Sequence, residues 1–186
     1  VDVITASDIP GSPRVGGLIP DHYVIAKDRV RFMGDVVAVV AAESRNQAYA
    51  AAGLIKVRYK PLDPVLDPRI ADAKKTPKMH DFRKNNVVSS FKVRRGDVKK
   101  GYKNSTSLAE EHFETSFIEH SYMEPESCIA IANPDGTVTV YGGMQHPFTT
   151  RRYVARALGF ELAKVQIIQT TLGGGFGGRD DTIAVI

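Results

Sequence analysis

The residue types best suited to chemistry lie at residues 173–178, the glycine loop, which holds five glycines and one phenylalanine. Ordering a glycine costs about 0.5–1 kcal/mol more than ordering an alanine in a regular element. Glycines at this density are useful where the main chain adopts positive φ angles or approaches a ligand closely, because bare N–H groups can then bind oxygen atoms. The glycine loop therefore predicts a site at which the backbone contacts an anionic or oxo ligand.

Two other interpretations of the glycine loop remain open. Gly173, Gly175 and Gly178 satisfy the G-x-G-x-x-G pattern after a predicted strand, which is typical of a dinucleotide-binding loop. A loop so rich in glycine meets this pattern almost automatically, and the acidic ribose partner would lie beyond Ile186. The dinucleotide interpretation predicts a helix that begins within residues 175–178, whereas a tight bend between strands would need no ligand.

A second group of polar residues, the acidic–histidine segment, occupies residues 119–126 and reads E-H-S-Y-M-E-P-E. Its side chains could ligate a metal, but His112 and His120 are eight residues apart and no H-E-x-x-H motif occurs in the sequence. Glu124 and Glu126 could instead be the paired carboxylates of a hydrolase, although nothing in the sequence fixes their separation. The proline between them indicates a bend, so we expect these side chains at the end of a strand.

A third group, G-G-M-Q-H-P at residues 142–147, lies between a predicted strand and a predicted helix. Gln145 beside a helix start can donate a hydrogen bond to an anionic or oxo ligand, and the free amides of the first turn add to this. His146 is interpreted as a structural hydrogen-bonding residue rather than a catalyst. The sequence holds no G-x-S-x-G, P-loop or C-x-x-C motif.

Apolar patterns predict the elements that position these groups. A continuous apolar run at residues 35–42 predicts a strand buried on both faces. Ser44 and Gln47 have the spacing of a capping box, which predicts a helix as far as about Gly53. Residues 55–59 alternate as a strand does. Strand, helix and strand together indicate a compact α+β unit.

The same patterns predict four elements after residue 112. They are a half-buried strand at 113–117, a hairpin of 128–132 and 137–141 around Asn-Pro-Asp-Gly, a helix capped by Thr149 or Thr150 and ended by Gly159, and a strand at 165–170. The last strand leads directly into the glycine loop.

Composition narrows the class of protein. The chain has 186 residues, 42% of them hydrophobic and 25% charged, which is typical of a folded globular protein. Its longest apolar run, residues 36–42, is shorter than the roughly 20 residues that cross a bilayer, and no leader opens the chain. Cys128 is the only cysteine, so a disulfide, an iron–sulfur cluster or a thiolate zinc site within the chain is excluded. We expect a cytoplasmic protein and, because the chain opens on Val1, an internal fragment.

Positive charge is concentrated in residues 69–103, the basic segment, where twelve Lys or Arg and three Asp give a net charge of +9. Such a segment is the discriminating feature of an alternative function, a non-catalytic interaction module that binds nucleic acid or a partner protein. The basic residues follow no helical stripe and Pro77 interrupts them, which favours a solvated connector. The basic segment is therefore the predicted inter-domain boundary.

Six blocks of the sequence, taken in order, resemble the molybdenum-cofactor subunit of the xanthine dehydrogenase and aldehyde oxidase family. The blocks are residues 8–11, 36–52, 95–101, 119–124, Gln145 with the helix after it, and the glycine loop. The resemblance covers essentially the whole chain and implies the α+β fold class. It implies a partial α/β hammerhead domain at residues 1–75, a basic linker at 76–95 and the first part of a molybdopterin-binding α+β domain at 96–186.

The resemblance also implies a molybdopterin-type molybdenum cofactor, in which the pterin's sulfur atoms rather than side chains hold the metal. The implied cofactor-binding residues are Gly175, Phe176, Gly177, Gly178 and Gln145. Among them, the backbone of Phe176 and Gly177 is expected near the molybdenum. In purine-using members an acidic residue two positions after the last glycine binds substrate, and Asp180 occupies that position.

The activity implied by the resemblance is the insertion of a water-derived oxygen at an electron-poor carbon of a heterocycle or an aldehyde. Implied partners are the remainder of the molybdenum subunit and the subunits or segments that carry iron–sulfur clusters and FAD.

Ile118 stands where many members have a Gln that reaches the molybdenum ligand. The catalytic base, a glutamate in a G-x-G-E-type motif, is expected after Ile186. No catalytic residue is therefore predicted in this chain, which alone would be inactive.

Overall fold

The computed structural model describes residues 1–17 and 19–180. The chain divides into two compact units, of which the first comprises Val1–Lys60 and the chain from His120 onward, and the second comprises Pro61–Glu119. The domain limits at residues 75 and 96 stay predictions. The last six residues of the predicted molybdopterin-binding domain lie outside the described residues.

The N-terminal part of the first unit holds two small antiparallel sheets and a helix. Its elements are β1 (Asp2–Ile4), β2 (Arg14–Val15), β3 (His22–Tyr23), β4 (Val39–Ala41) and α1 (Arg45–Leu54). Strand β1 pairs with β4 so that Val3 faces Val40, and β2 pairs with β3 so that Val15 faces His22.

The start of α1 confirms the predicted capping box. The Ser44 hydroxyl oxygen accepts from the Gln47 amide at 3.4 Å, and the Gln47 carbonyl oxygen Oε1 accepts from the Ser44 amide at 3.1 Å. The prediction of a fully buried strand at residues 35–42 is wrong, because β4 is only three residues long and Val39 is 45% exposed. The described residues 55–59 form no strand. Among the described residues, the first run pairs only with the three residues of β1 and the second run has no partner strand, so neither forms a longer ladder.

The second unit contains little regular structure. Its helix α2 (Val98–Asn104) begins after Asp97, whose carboxylate accepts from the Lys100 amide at 3.0 Å. The predicted strand at residues 113–117 is wrong, since the chain there is irregular and Phe113 is exposed. An alternating pattern forms a strand only where a partner strand binds its amides and carbonyls.

The C-terminal part of the first unit holds the sheet that leads to the glycine loop. Its elements are β5 (Cys128–Ala132), β6 (Val138–Gly142), α3 (Pro147–Leu158) and β7 (Val165–Gln169). Strands β5 and β6 form the predicted hairpin, in which Gly136 has a φ of 80°. Strand β7, also confirmed, pairs in parallel with β6, and α3 connects the two as a crossover helix.

Helix α3 begins earlier than predicted. Thr149 and Thr150 were expected to cap it, but the N-cap is His146 and Pro147 occupies the first turn. Proline suits this position because its fixed φ is helical and its missing N–H would have had no partner there. The predicted end is confirmed, since Gly159 adopts a left-handed φ of 69°.

Both sides of α3 are buried against other parts of the first unit. Tyr153 and Ala157 pack with Val15, Val24 and Ile25 in one hydrophobic cluster. A second cluster joins Val154 and Ala155 to Val165 at the start of β7. The arrangement of small sheets and separate helices confirms the α+β class. Among the helices of the described residues, none combines the length and the apolar character needed to cross a bilayer.

Candidate cofactor-binding site

The glycine loop lies against the acidic–histidine segment and Gln145, and three of its glycines leave no room for a side chain. A Cβ atom on Gly173 would lie 2.7 Å from Cβ of Glu124, and one on Gly178 would lie 2.8 Å from Cε1 of Tyr122. A Cβ atom on the buried Gly175 would overlap the carboxamide of Gln145. These glycines are therefore required for the loop to pack against neighbouring side chains.

Gln145 binds the far end of the glycine loop. Its side-chain oxygen Oε1 accepts from the backbone amides of Gly177 at 3.0 Å and Arg179 at 3.1 Å. The backbone amide of Gln145 donates to the Arg179 carbonyl at 3.2 Å. Two N–H donors face this atom, which fixes it as the oxygen of the carboxamide. Within residues 1–17 and 19–180, the Gln145 side-chain NH₂ group has no acceptor, so it can donate to a ligand.

Glu124 and Arg179 form an ion pair beneath the glycine loop. Arg179 is only 1% exposed, and its Nη1 and Nη2 atoms each donate over 2.6 Å, to Oε2 and to the backbone carbonyl of Glu124 respectively. Oε2 of Glu124 also accepts from the Gly173 amide. The bond from Gly173 and the Arg179 guanidinium lower the pKa of Glu124, which keeps this carboxylate charged. Cζ of Arg179 lies 4.5 Å from the centre of the Tyr122 ring.

The second half of the glycine loop is a turn rather than a helix. The Gly178 amide donates to the Gly175 carbonyl at 2.7 Å, and the Asp180 amide donates to the Gly177 carbonyl at 3.1 Å. Residues 176–179 are a hydrogen-bonded turn, and no helix begins within the described residues 175–178. The dinucleotide-binding interpretation, which required that helix, is wrong.

Three consecutive amides of the glycine loop remain available to a ligand. In the part of the chain that the structure describes, the N–H groups of Gly174, Gly175 and Phe176 donate to no acceptor. Phe176 has a φ of 50°, a left-handed conformation that costs a non-glycine residue about 1–3 kcal/mol. The residue is 77% exposed, so burial against the described residues does not offset this cost. Consecutive amides without acceptors, next to a residue with a positive φ, are the kind of donor group that can bind an oxygen-bearing ligand.

Asp180, the predicted substrate-binding residue, lies beside the start of α3. Its Oδ1 atom is 3.1 Å from Nε2 of His146, and both side chains are about half exposed. The contact agrees with the prediction that His146 acts as a hydrogen-bonding residue. Ile118, at the position where many family members have Gln, belongs to the second unit and its side chain is 82% exposed.

Both carboxylates proposed as a hydrolase pair make hydrogen bonds within the protein. Glu124 binds Arg179 and Gly173, while Glu126 accepts from the Tyr122 hydroxyl at 2.5 Å. No group of three or more metal-ligating side chains occurs among residues 1–17 and 19–180. The acidic–histidine segment therefore supports the glycine loop through Tyr122 and Glu124.

Arg179 is the residue of the site that the sequence interpretation missed. An arginine directly after a glycine-rich loop is expected at the surface, where most charged side chains lie. Its partner Glu124 lies 55 residues earlier in the chain. A buried arginine needs a carboxylate, but no local signal in the sequence pairs Arg179 with Glu124, because only the folded chain brings the two together.

The residues present fit an oxygen-rich cofactor. The free amides at residues 174–176 and the NH₂ group of Gln145 are all hydrogen-bond donors, as oxo and phosphate oxygens require. Glycine at position 175 lets the Gln145 carboxamide lie directly against the main chain that bears these amides. Fold and site together define a protein of the cofactor-binding class.

Comparison with known families agrees with this class. A molybdopterin cofactor-binding domain matches residues 79–186, and the a/b hammerhead domain of aldehyde oxidase and xanthine dehydrogenase matches residues 1–63. The chain therefore belongs to the xanthine dehydrogenase and aldehyde oxidase family of molybdenum enzymes.

Individual relatives match nearly the whole chain. A probable xanthine dehydrogenase subunit of Bacillus subtilis is 37% identical over 96% of this chain and 24% of its own length. The nicotinate dehydrogenase large molybdopterin subunit of Eubacterium barkeri is 32% identical over 93% of this chain and 40% of its own length. Aldehyde oxidoreductase from Desulfovibrio gigas superposes with a TM-score of 0.86 at 25% identity, over 96% of this chain and 21% of that one. The chain thus spans less than half the length of these relatives.

Proposed function

We propose that the chain supplies the loop that binds the molybdenum cofactor in a hydroxylase acting on a heterocycle or an aldehyde, with water as the oxygen source. The observation that carries this proposal is the row of free amides at residues 174–176, held between Glu124 and Gln145. Donors fixed in place before a ligand arrives stabilise negative charge on oxygen without a cost of reorganisation.

Each residue of the site has a defined part in this proposal. The amides of Gly174, Gly175 and Phe176 donate to cofactor oxygens, and the Gln145 NH₂ group adds a fourth donor. The Gly177 amide donates to Gln145, so we assign Gly177 to the shape of the turn, while the backbone of Phe176 and Gly177 stays the predicted neighbour of the molybdenum. When bound, the cofactor would supply the two-electron oxidation of the substrate carbon.

Asp180 remains the proposed substrate-binding residue. Its carboxylate accepts from His146 and is about half exposed, so a ring N–H of a heterocycle could replace or share this bond. Gly178 shapes the turn before it, because a side chain at that position would overlap Tyr122. The remaining polypeptide would supply the catalytic glutamate, and iron–sulfur and FAD units would accept the electrons.

The test uses the complete natural polypeptide that carries this chain. The purified protein is analysed for molybdenum and for pterin, and is then supplied with an aldehyde or a nitrogen heterocycle in isotopically labelled water. We expect stoichiometric cofactor and a product that carries the labelled oxygen. A protein without pterin, or a product whose oxygen comes from elsewhere, would overturn the proposal.

A further inference from the structure

The ion pair of Glu124 and Arg179 is the strongest feature of the site to which the proposed reaction gives no part. We propose that these two are positioning residues, which hold the glycine loop in the conformation that receives the cofactor; this inference rests on the proposed function. Neither side chain needs to touch the cofactor for this role.

The pair ties the two ends of the glycine loop to one carboxylate. Oxygen Oε2 of Glu124 accepts from the Gly173 amide at the start of the loop and from Nη1 of Arg179 directly after its end. Gln145 also binds the Arg179 main chain: the Arg179 amide donates to Oε1 of Gln145, and the Arg179 carbonyl accepts from the Gln145 backbone amide. The distance between the loop ends is therefore set by a single acceptor atom.

The surroundings of the pair leave little freedom for another arrangement. A Cβ atom on Gly143 would lie 2.6 Å from Nη1 of Arg179 and 3.1 Å from Oε1 of Glu124. Nη2 of Arg179 donates to the Glu124 carbonyl, so the guanidinium binds both the side chain and the main chain of the same residue. This fork of two bonds fixes the direction of the arginine as well as its position.

The pair is a costly way to obtain stability alone. Nε of Arg179 is buried without a hydrogen-bond partner among the described residues, and burying a charged group with an unsatisfied donor is unfavourable. Replacing a buried ion pair with apolar side chains of similar volume is often neutral or stabilising. An ion pair that persists despite this cost is explained by the geometry it imposes on the amides of residues 174–176.

The test separates stability from loop geometry in the complete natural polypeptide. The single variants Glu124→Leu and Arg179→Met each leave a half-buried or buried charge without its partner, and the double variant removes both charges. We expect both single variants to lower the thermal midpoint and the pterin content. The double variant should regain the native midpoint while its pterin and molybdenum content stays at least about tenfold below native, the scale of one lost charge-assisted hydrogen bond.

Arg151→Met is the matched control. Arg151 donates to the carbonyls of Leu162 and Val165 in the same unit, so its loss removes arginine hydrogen bonds without touching the glycine loop. We expect a lower midpoint and an unchanged pterin content per folded chain. The molybdenum EPR signal of each variant that retains metal provides a second readout, and it should change only in the variants of Glu124 and Arg179.

The following outcomes decide the proposal. A double variant with native midpoint, native pterin content and a native EPR signal would show a purely structural pair and overturn the inference, while the proposed function would stand. A native protein without pterin would overturn both. If the double variant remains unstable, Arg179→Lys decides, because lysine keeps the charge but replaces the rigid guanidinium, whose two terminal nitrogens each bind Glu124, with a single flexible donor nitrogen. A stable lysine variant with reduced pterin supports the inference, and native pterin overturns it.

Discussion

Two residues of this site matter for what they leave open. Gly175 leaves room for a neighbouring side chain, and Gln145 leaves hydrogen-bond donors without an acceptor among the described residues. Gly175 is buried with Gln145 directly against its main chain, and Oε1 of Gln145 accepts from the Gly177 and Arg179 amides, which leaves the NH₂ group free to donate to a ligand. Glycine and glutamine at these positions were predicted as cofactor-binding residues from the resemblance. Their role in binding the cofactor stays a proposal, which the following variants test.

Gly175→Ala should disrupt the glycine loop. The added Cβ atom overlaps the Gln145 carboxamide, so we expect a loss of about 1–3 kcal/mol in the free energy of unfolding and a low pterin content. Chemical denaturation and pterin analysis measure the two effects. Gly53→Ala is the matched control, since its Cβ atom meets no atom within 4 Å and alanine favours the helix there. Equal pterin content in both variants would contradict the account.

Gln145→Glu should distinguish the structural role of the Gln145 oxygen from the proposed cofactor contact of its NH₂ group. A glutamate oxygen can still accept from Gly177 and Arg179, so we expect a native thermal midpoint. The second oxygen, however, replaces a donor and brings negative charge to the cofactor, and repulsion of about 1 kcal/mol or more should lower pterin content at least about fivefold. The exposed Gln166→Glu is the control. Native pterin content in Gln145→Glu would argue against contact with the cofactor.

Glu124 should make stability depend on pH. Hydrogen bonding from Gly173 and the charge of Arg179 lower its pKa below the usual 4.5, so its contribution is complete above that pH and is lost as the pH falls through the folded-state pKa. Denaturation at a series of pH values should show a shallower acid dependence for Glu124→Gln than for the native protein. The exposed Glu110→Gln should keep the native slope. Parallel curves for native and Glu124→Gln would count against this ion pair.

At the scale of elements, helix α3 connects the N-terminal strands to the sheet that bears the glycine loop. The last carbonyls of a helix lack donors within the helix, and here the amides of Gly11 and Ser12 donate to the carbonyls of Ala157 at 2.9 Å and Arg156 at 2.8 Å. Helix α3 thus packs against residues 1–60 along its length, and the residues just before its first turn include Gln145.

Gly11→Ala should weaken this contact. Its Cβ atom would lie 2.8 Å from the carbonyl oxygen of Ala157, so we expect the free energy of unfolding to fall by about 1–3 kcal/mol. Gly17→Ala is the control, because among the described residues its Cβ atom meets only the Tyr153 hydroxyl, at an ordinary 3.4 Å. Thermal denaturation compares the two, and a Gly11→Ala variant as stable as the control would contradict the contact.

Elements with local signals could be predicted, and elements that depend on distant partners could not. The capping box at Ser44, the turn at Gly136 and the helix end at Gly159 are fixed by neighbouring residues, and each agrees with the structure. The alternating run at 113–117 had no partner strand, so the pattern alone misled. Arg179 was missed for the same reason, since only the folded chain brings Glu124 to it.

At the scale of the whole molecule, the basic segment and the candidate site belong to different units. The basic segment falls in the second unit apart from the glycine loop in sequence, and the residues Lys99, Lys100 and Lys103 are exposed. Reversing these three charges with glutamates should leave pterin content unchanged, because Glu124, Gln145 and the glycine loop all belong to the first unit. Nucleic-acid retention at low salt that the native protein shows and this variant loses would favour the interaction-module alternative instead.

The central claim is that the amides of residues 174–176 bind the cofactor, and amide hydrogen exchange tests it most directly. The complete natural protein is compared in its cofactor-loaded and cofactor-depleted forms by exchange resolved to the glycine loop. We predict that loading slows exchange at these three amides at least about tenfold, while Gly173 and Gly177, which already have acceptors, change little. Unchanged exchange at residues 174–176 in the loaded protein would contradict the account.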